Sequence, residues 1–157
     1  MRWHQRGDMQ DEAIYRKHAD ELVRFATGLV GPFDAADVVA DACMAAFRSS
    51  GWNGVSEQRA YLYRAVLNQA RMHHRSTLRR RLREQRAAVR DTVSDREPDL
   101  DVLAAIERLS LQQRAVVMLT YWEDLPIDEV SRRLAISEGA VKKQLARARA
   151  RLREWLA

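Results

Sequence analysis

A helical spacing of apolar residues that stops in mid-chain and then returns constrains this sequence more than any other feature. Apolar side chains recur every three or four positions across residues 14–29, 35–47 and 62–70, as in helices that bury one face. The spacing fades over residues 76–98 and resumes from residue 100 onward. Six glycines and three prolines in 157 residues offer few turns for short strands. The sequence therefore predicts an all-α fold with two small helical domains joined by a flexible linker.

The predicted boundaries place the first domain at residues 8–76, the linker at 77–98 and the second domain at 99–157. Domains of fewer than about 75 residues bury little apolar surface, so each should gain stability from its partners. Residues 71–96 carry nine arginines against three acidic residues, and such a charge disfavours collapse of the segment on itself. We therefore expect a mobile linker that holds the two domains apart in the free protein until a partner clamps them together.

The net charge of +5 is concentrated in two basic blocks. One is the arginine-rich segment 71–96, and the other, residues 138–157, carries six basic and two acidic side chains. Each block adjoins a neutral or acidic stretch, which is the pattern of two separate polyanion footprints. The alternative is that both blocks are solvated faces of arginine-rich helices.

Several classes of protein are excluded by what the sequence lacks. No window approaches the roughly 20 apolar residues of a membrane-spanning helix, and the N-terminus has no apolar stretch typical of a secretory signal. A lone cysteine, Cys43, cannot form an internal disulfide and is typical of a reducing compartment. We expect a soluble cytoplasmic protein with no membrane insertion.

The segment from Pro126 to Leu156 has the layout of a helix-turn-helix. Its shared apolar core should comprise Val130, Leu134, Ile136, Val141 and Leu145, and Ser137 should cap the second helix. The N-terminal turns of such a helix meet base edges in the major groove, where Lys and Arg suit guanine and Gln suits adenine. The candidate DNA-binding residues on this helix are Glu138, Lys142, Lys143, Gln144, Arg147, Arg149 and Arg153. A basic amphipathic helix in an unrelated bundle is the alternative.

An acidic face marks the second predicted helix. Asp34, Asp37 and Asp41 are spaced at i, i+3 and i+7, which places three carboxylates on the side opposite the apolar stripe. Such carboxylates could bind a metal ion or act in acid–base catalysis, but no histidine or glutamate falls on the same face. The pattern favours a solvated or protein-binding surface, and the sequence predicts no metal site, no cofactor and no catalytic residue.

The third predicted helix carries an aromatic residue and an amide followed by a ladder of cations along one face. Its members are Tyr61, Arg64, Asn68, Arg71 and Arg75, and the same spacing continues to Arg79. Such a face suits nucleic acid whose bases can stack and whose phosphates need cations. In the preceding loop, Trp52 and Asn53 could hold an unstacked base, although Trp52 could equally anchor the loop in the core.

These motifs, in this order, resemble those of the extracytoplasmic-function type of bacterial sigma factor, the two-domain promoter-specificity subunits of RNA polymerase. Residues 34–47 are similar to the family's polymerase-clamp-binding helix, and residues 61–75 to its promoter-melting and minus-ten-recognition helix. Residues 109–152 look like its domain that reads the minus-thirty-five element. The resemblance covers nearly the whole chain.

The resemblance implies an alternative sigma factor that directs promoter recognition, strand opening and transcription initiation, and that is not itself an enzyme. Its expected partners are bacterial core RNA polymerase, promoter DNA and an anti-sigma factor. The acidic face of Asp34, Asp37 and Asp41 would dock on the clamp of the beta-prime subunit. The face from Tyr61 to Arg75, with Trp52 and Asn53, would capture the minus-ten strand.

Two other functions compete with this interpretation. A stand-alone helix-turn-helix regulator would need only the residues from about 97 onward, and it would leave the acidic helix and the cationic ladder without a role. A sigma-mimicking protein that binds an anti-sigma factor without touching DNA would be expected to lose its basic reader residues. Both basic faces are present here, which disfavours the mimic.

Overall fold

The structure is a computed structural model that describes residues 5–87 and 98–157, and within them the chain forms seven α-helices and no strand. The first part contains α1 (Gln5–Val30), α2 (Ala35–Arg48) and α3 (Gln58–Ala87), with a 3-10 turn at Trp52–Gly54. The second part contains α4 (Pro98–Arg108), α5 (Leu111–Val117), α6 (Ile127–Leu134) and α7 (Glu138–Leu156). A π-helical turn, Met118–Trp122, continues α5. The predicted all-α fold is confirmed.

Helix ends follow the local chemistry of the sequence. Gly31 ends α1 with a φ of 88°, a left-handed conformation that glycine adopts without the steric cost of a Cβ. Ser110 begins α5 with a capping box. Its hydroxyl accepts a hydrogen bond from the Gln113 amide (3.2 Å), and the Gln113 side chain accepts one from the Ser110 amide (3.3 Å). Both ends supply partners to backbone groups that a helix leaves unsatisfied.

The first three helices form a bundle in which each buries one stripe of side chains. The most deeply buried are Leu22, Phe25 and Leu29 of α1, Val39 and Cys43 of α2, and Leu62, Tyr63 and Val66 of α3. Burying a large apolar side chain contributes about 1.5–3 kcal/mol relative to leaving it exposed. The faces of these helices that point away from the stripe are therefore open for other contacts.

The two parts of the chain share one core. α1 and α3 pack against α5 and α6, and a continuous buried cluster includes Leu29 and Leu67 from the first part and Val116, Leu119 and Val130 from the second. The expectation that the free protein holds its domains apart is wrong for this structure. The physical reason is that each small domain has apolar side chains at its border, which are removed from water when the domains pack together.

The predicted linker is partly helical. Residues 77–87 continue α3 without a break, and Pro98 begins α4. The remaining residues of the predicted linker, 88–97, lie outside the described part of the chain.

Candidate nucleic-acid and partner interfaces

The acidic face of α2 is the first candidate surface. Asp37 and Asp41 are exposed, and the opposite face of the helix is buried. Asp34 differs from them, because it is half-buried at the N-terminal end of α2 and its carboxylate lies 3.2 Å from the His73 imidazole. The structure therefore leaves two of the three predicted carboxylates fully on the surface and places the third against α3.

Two exposed apolar side chains adjoin this acidic face, and sequence reasoning missed them. Phe33, in the turn before α2, is 94% exposed, and Met44, one turn after Asp41, is 50% exposed. Exposed large apolar side chains beside charged ones are typical of protein-binding surfaces. Met44 could have been found from the sequence, because it falls outside the apolar stripe of α2.

Trp52 is buried rather than offered to a base. Its ring is 3% exposed and packs edge-on against Phe47 and Tyr61, with ring centroids 5.0 and 5.5 Å away. Its indole nitrogen donates a hydrogen bond of 2.9 Å to Asp11. The expectation that Trp52 holds an unstacked base is wrong in this conformation, because its packing anchors the loop in the core. Asn53 beside it is exposed.

The cationic ladder of α3 lies on the open side of the helix. Its exposed members are Arg64, Asn68 and Arg75. Arg71 is half-buried and donates a hydrogen bond of 3.1 Å to the Asn68 side chain. Tyr61 is also half-buried, with its hydroxyl 2.7 Å from the Ser49 hydroxyl. The structure brings these residues onto one face, on which Tyr61 and Arg71 are partly covered by their neighbours.

α6 and α7 form the helix-turn-helix that the sequence predicts, with a turn of three residues between them. The buried residues between the two helices are Val130, Leu134, Val141 and Leu145. Ser137 caps α7, since its hydroxyl accepts a hydrogen bond of 3.0 Å from the Ala140 amide. Ala135 ends α6 with a φ of 53°, in the left-handed region.

The charged residues of α7 lie on its solvent side. The exposed ones among the predicted DNA contacts are Glu138, Lys142, Lys143, Arg147, Arg149 and Arg153, and Gln144 is half-buried. Arg149 is held in place, because its guanidinium donates a hydrogen bond of 2.5 Å to the Tyr121 hydroxyl. The same charge lies 5.6 Å from the centre of the Tyr121 ring.

Two absences hold for residues 5–87 and 98–157. No cluster of three or more His, Cys, Asp or Glu side chains is arranged to hold a metal ion. In the same part of the chain, no helix combines the length and the apolarity needed to cross a membrane.

Comparison with known proteins identifies the family. A family model for sigma-70 region 2 matches residues 14–82, and one for sigma-70 region 4 matches residues 99–152. The chain is 34% identical to the RNA polymerase sigma-E factor of Streptomyces antibioticus, across 94% of this chain and 85% of that protein. It is 31% identical to the ECF RNA polymerase sigma factor SigM of Mycobacterium tuberculosis, across 92% of this chain and 76% of that protein. The chain belongs to the extracytoplasmic-function (ECF) sigma factors.

Two solved structures share the fold of this ECF sigma factor. CnrH in complex with the cytosolic domain of CnrY has a TM-score of 0.61 at 24% identity, covering 95% of this chain and 88% of that one. The sigma factor RpoE of Bartonella quintana, in complex with the anti-sigma factor NepR, has a TM-score of 0.57 at 23% identity. That match covers 92% of this chain and 95% of RpoE. At these identities the likeness concerns the fold.

As an ECF sigma factor, the protein directs promoter-specific transcription initiation together with RNA polymerase. The family, fold class and general function that the sequence predicts are confirmed. The assignments of individual residues to DNA or polymerase stay predictions.

Arg114 joins the two domains of this sigma factor, and sequence reasoning missed its role. It is buried, and its guanidinium donates hydrogen bonds to the carbonyl oxygens of Leu29 (2.7 Å), Ile106 (3.2 Å) and Glu107. These carbonyls lie in the last turns of α1 and α4, where intrahelical partners are lacking. The only signal in the sequence was a cation directly before the apolar run of residues 115–119.

Tyr63 and Arg133 form a second link, between α3 and the helix-turn-helix. Tyr63 is 1% exposed, and burial raises the pKa of its phenol to about 12, so the hydroxyl keeps its proton at neutral pH. Arg133 donates a hydrogen bond of 3.2 Å to that hydroxyl, and its charge lies 5.6 Å from the ring centre. Glu129 lies 3.2 Å from the same guanidinium. This pair holds α6 against α3.

Proposed function

We propose that this sigma factor uses three exposed helix faces for three partners: α2 for core polymerase, α3 for the opened promoter strand and α7 for the upstream duplex. The observation that carries the proposal is that the charged side chains of each face are largely exposed, while the opposite face of the same helix is buried. Packed elements hold such side chains in a fixed relation to one another. The sigma factor catalyses no reaction, and the polymerase makes the RNA bonds.

The α2 face docks on a basic surface of the clamp of the beta-prime subunit. Asp37 and Asp41 provide negative charge, and exposed Phe33 and Met44 provide apolar contact. Complementary charge steers the encounter, whereas buried aromatic side chains contribute much of the binding free energy at such interfaces. Asp34 lies at the edge of this surface, because an imidazole of α3 is already beside its carboxylate.

The α3 face binds the non-template strand of the minus-ten element as it opens. The phenol and amide can contact bases, and the arginines can contact phosphates. Unpairing costs a few kcal/mol, which contacts of about 1–3 kcal/mol per stacked base offset. The residues assigned to this face are Asn53, Tyr61, Arg64, Asn68, Arg71 and Arg75, with Trp52 supporting the loop from within the core.

The N-terminal turns of α7 read the minus-thirty-five element in the major groove. Lys142, Lys143 and Gln144 lie early enough to reach base edges, and Glu138 suits a cytosine amino group. The later cations, Arg147, Arg149 and Arg153, lie where the helix leaves the groove and are assigned progressively to phosphates.

An anti-sigma factor is a further proposed partner, and the cytoplasm is the proposed compartment. The fold matches that of RpoE, which was solved with the anti-sigma factor NepR. A partner that binds the packed arrangement of the two domains better than an opened one would keep the sigma factor from the polymerase. Both core polymerase and promoter DNA are available in the bacterial cytoplasm.

Charge reversal on α2 tests the polymerase-docking surface. The Asp37→Arg, Asp41→Arg variant should lose co-purification with core polymerase, because attraction to a basic surface becomes repulsion. Both side chains are exposed, so the free energy of unfolding should change by no more than about 0.5 kcal/mol at Asp41 and by about 1 kcal/mol at Asp37, which lies in the first turn of α2.

A matched control carries the same charge change elsewhere. Glu12 and Asp20 are exposed on α1, and the Glu12→Arg, Asp20→Arg variant should bind core polymerase as the natural protein does. Equal retention of both variants on immobilised core enzyme would exclude docking through α2.

A further inference from the structure

A cavity of about 780 Å³ lies between the two domains. Its walls come from the C-terminal end of α1, the second half of α3, α4, and α5 with the π-helical turn that follows it. Cavities of about 300–1,000 Å³ are the usual size of small-molecule sites. Because both domains contribute walls, this cavity exists only while the domains pack together.

The two domains meet closely at the edge of this cavity. Gly28 of α1 and Met118, at the start of the π-helical turn, both line it. A Cβ at position 28 would lie 2.5 Å from the methyl carbon of Met118, so only glycine leaves room for this side chain. The cavity is therefore bounded by tight packing between the domains and is not a gap in a loose interface.

Several polar groups that line the cavity already have partners. Arg114 and His74 each donate a hydrogen bond to the carbonyl oxygen of Leu29, over 2.7 and 2.8 Å. The His73 imidazole lies 3.2 Å from the Asp34 carboxylate. These groups fix the shape of the cavity without requiring a ligand.

Two cations on the α3 side of the cavity have no such partner. Arg75 and Arg81 are exposed, and among the described residues no carboxylate lies within 4.0 Å of either guanidinium. Of the described residues that line the cavity, four are arginines and two are carboxylates. The excess of positive charge favours an anionic ligand.

Large apolar side chains also line the cavity, and several of them are exposed. Leu78 of α3, Leu103 of α4 and Trp122 are 58%, 50% and 68% exposed. Ile106 and Met118 line the same cavity and are half-buried. Exposed apolar side chains grouped in this way are typical of ligand-binding grooves. An apolar body bound here would cover surface that the packed domains leave in water.

We propose that this cavity binds an amphipathic organic anion, a small molecule with one carboxylate, sulfonate or phosphate group and a large apolar body. The anionic group pairs with Arg75 and Arg81, and the apolar body lies against Leu103, Ile106 and Trp122. The ligand stabilises the packed arrangement of the domains, because an opened form has no such cavity. It thereby weakens binding to core polymerase, and this consequence rests on the proposed function.

The test uses the free protein and two fluorescent probes that share one ring system. Anilinonaphthalene sulfonate carries an anionic group, and phenyl naphthylamine is the same molecule without it. The sulfonate probe should bind with a dissociation constant on the order of tens of micromolar, as expected for a ligand of its size. The neutral probe should bind about tenfold more weakly, because it makes no charge-assisted hydrogen bond.

Two substitutions test the charge and the apolar wall separately. Arg81→Glu should weaken binding of the sulfonate probe about tenfold and leave the neutral probe unaffected. Leu103→Asp should weaken binding of both probes, because it places a carboxylate on the apolar wall. The matched controls are Arg83→Glu and Val102→Asp, which change exposed residues of the same helices outside the cavity lining. Both controls should bind the probes as the natural protein does.

Several outcomes would overturn the binding site. Equal affinity for the two probes, or equal effects of Arg81→Glu and Arg83→Glu, would show that no anion site exists here. Unchanged binding to the Leu103→Asp variant would place the probe elsewhere on the protein. If neither probe binds, the cavity belongs to a protein segment or to solvent, and the proposal is wrong.

The effect on core polymerase is measured separately. At ten times its dissociation constant, the sulfonate probe should weaken binding of the natural protein to core polymerase about tenfold. The Leu103→Asp variant should show much less of this effect. If the probe binds as expected but polymerase binding does not change, the regulatory role is wrong. Failure of the proposed function appears without any probe, as normal polymerase binding by the Asp37→Arg, Asp41→Arg variant.

Discussion

Ala135 occupies a backbone conformation that glycine usually supplies. It ends α6 with a φ of 53° and lies in the turn of the helix-turn-helix. A residue with a Cβ pays roughly 1–2 kcal/mol in the left-handed region. The turn keeps this strain because the buried residues on both sides, Leu134 and Val141, fix the path of the chain.

Relief of the backbone strain at Ala135 should stabilise the protein. Ala135→Gly should raise the free energy of unfolding by about 0.5–1 kcal/mol, because the gain in the left-handed conformation exceeds the added entropy of the unfolded chain. Ala146→Gly, at an exposed position within α7, should instead lower it by about 1 kcal/mol. Urea denaturation of both variants measures the difference. If Ala135→Gly instead lowers the free energy of unfolding, then the left-handed conformation of Ala135 is not strained.

Single buried side chains were the hardest features to predict from the sequence. Trp52 has the same sequence context whether it stacks on a base or on Tyr61, and only the fold shows which ring is nearby. Arg114 lies on a short helix whose spacing predicts no partner in α1, because contacts over 85 residues of sequence leave no local pattern. Charged residues are rarely buried, so the residue type at position 114 favours exposure, whereas the structure buries Arg114.

α7 and α3 show how well the ends of helices can be predicted from the sequence. The start of α7 at Glu138 was predictable, because Ser137 supplies a capping hydroxyl and the apolar spacing resumes after the turn. The end of α3 was not, because Arg, Leu and Gln favour helices and neither Gly nor Pro occurs between Gly54 and Pro98. The apolar spacing of α3 fades where the helix stops packing against the core, but the helix itself continues beyond that point.

The proposed separation of base-reading residues from phosphate-binding residues along α7 can be tested by single substitutions. Lys143→Ala or Gln144→Ala should cost about 1–3 kcal/mol at a cognate upstream element and much less at a scrambled one. Arg153→Ala should weaken both by a similar factor and lower the salt slope by about one unit. The measurement is holoenzyme binding to promoters that differ only in that element. Equal losses at both elements for Gln144→Ala would show that α7 anchors without reading.

At the scale of the whole molecule, the shared core conflicts with the geometry of a promoter. The minus-ten and minus-thirty-five elements are about 25 base pairs apart, or about 85 Å along B-form DNA at 3.4 Å per pair. A compact chain of this length has a radius of gyration of only about 15 Å. Binding of both elements by α3 and α7, as proposed above, therefore requires the two domains to separate at the contacts made by Arg114 and Tyr63. The required energy comes from tighter binding of the opened form by polymerase and DNA.

Domain opening can be followed by energy transfer between dyes on cysteines placed at the exposed residues Glu12 and Glu154, with buried Cys43 replaced by Ala. The free protein should show high transfer, because its domains share a core. Holoenzyme bound to promoter DNA should show much lower transfer. High transfer retained in that complex would contradict opening.

The central claim is that this chain gives core polymerase a promoter specificity that it otherwise lacks, and transcription with purified components tests it most directly. Core polymerase is incubated with fragmented genomic DNA of the source bacterium, with and without the protein, and the RNA 5′ ends are sequenced. Discrete new start sites should appear only with the protein and share an upstream and a minus-ten element. An identical set of 5′ ends with and without the protein would contradict a role in promoter specificity.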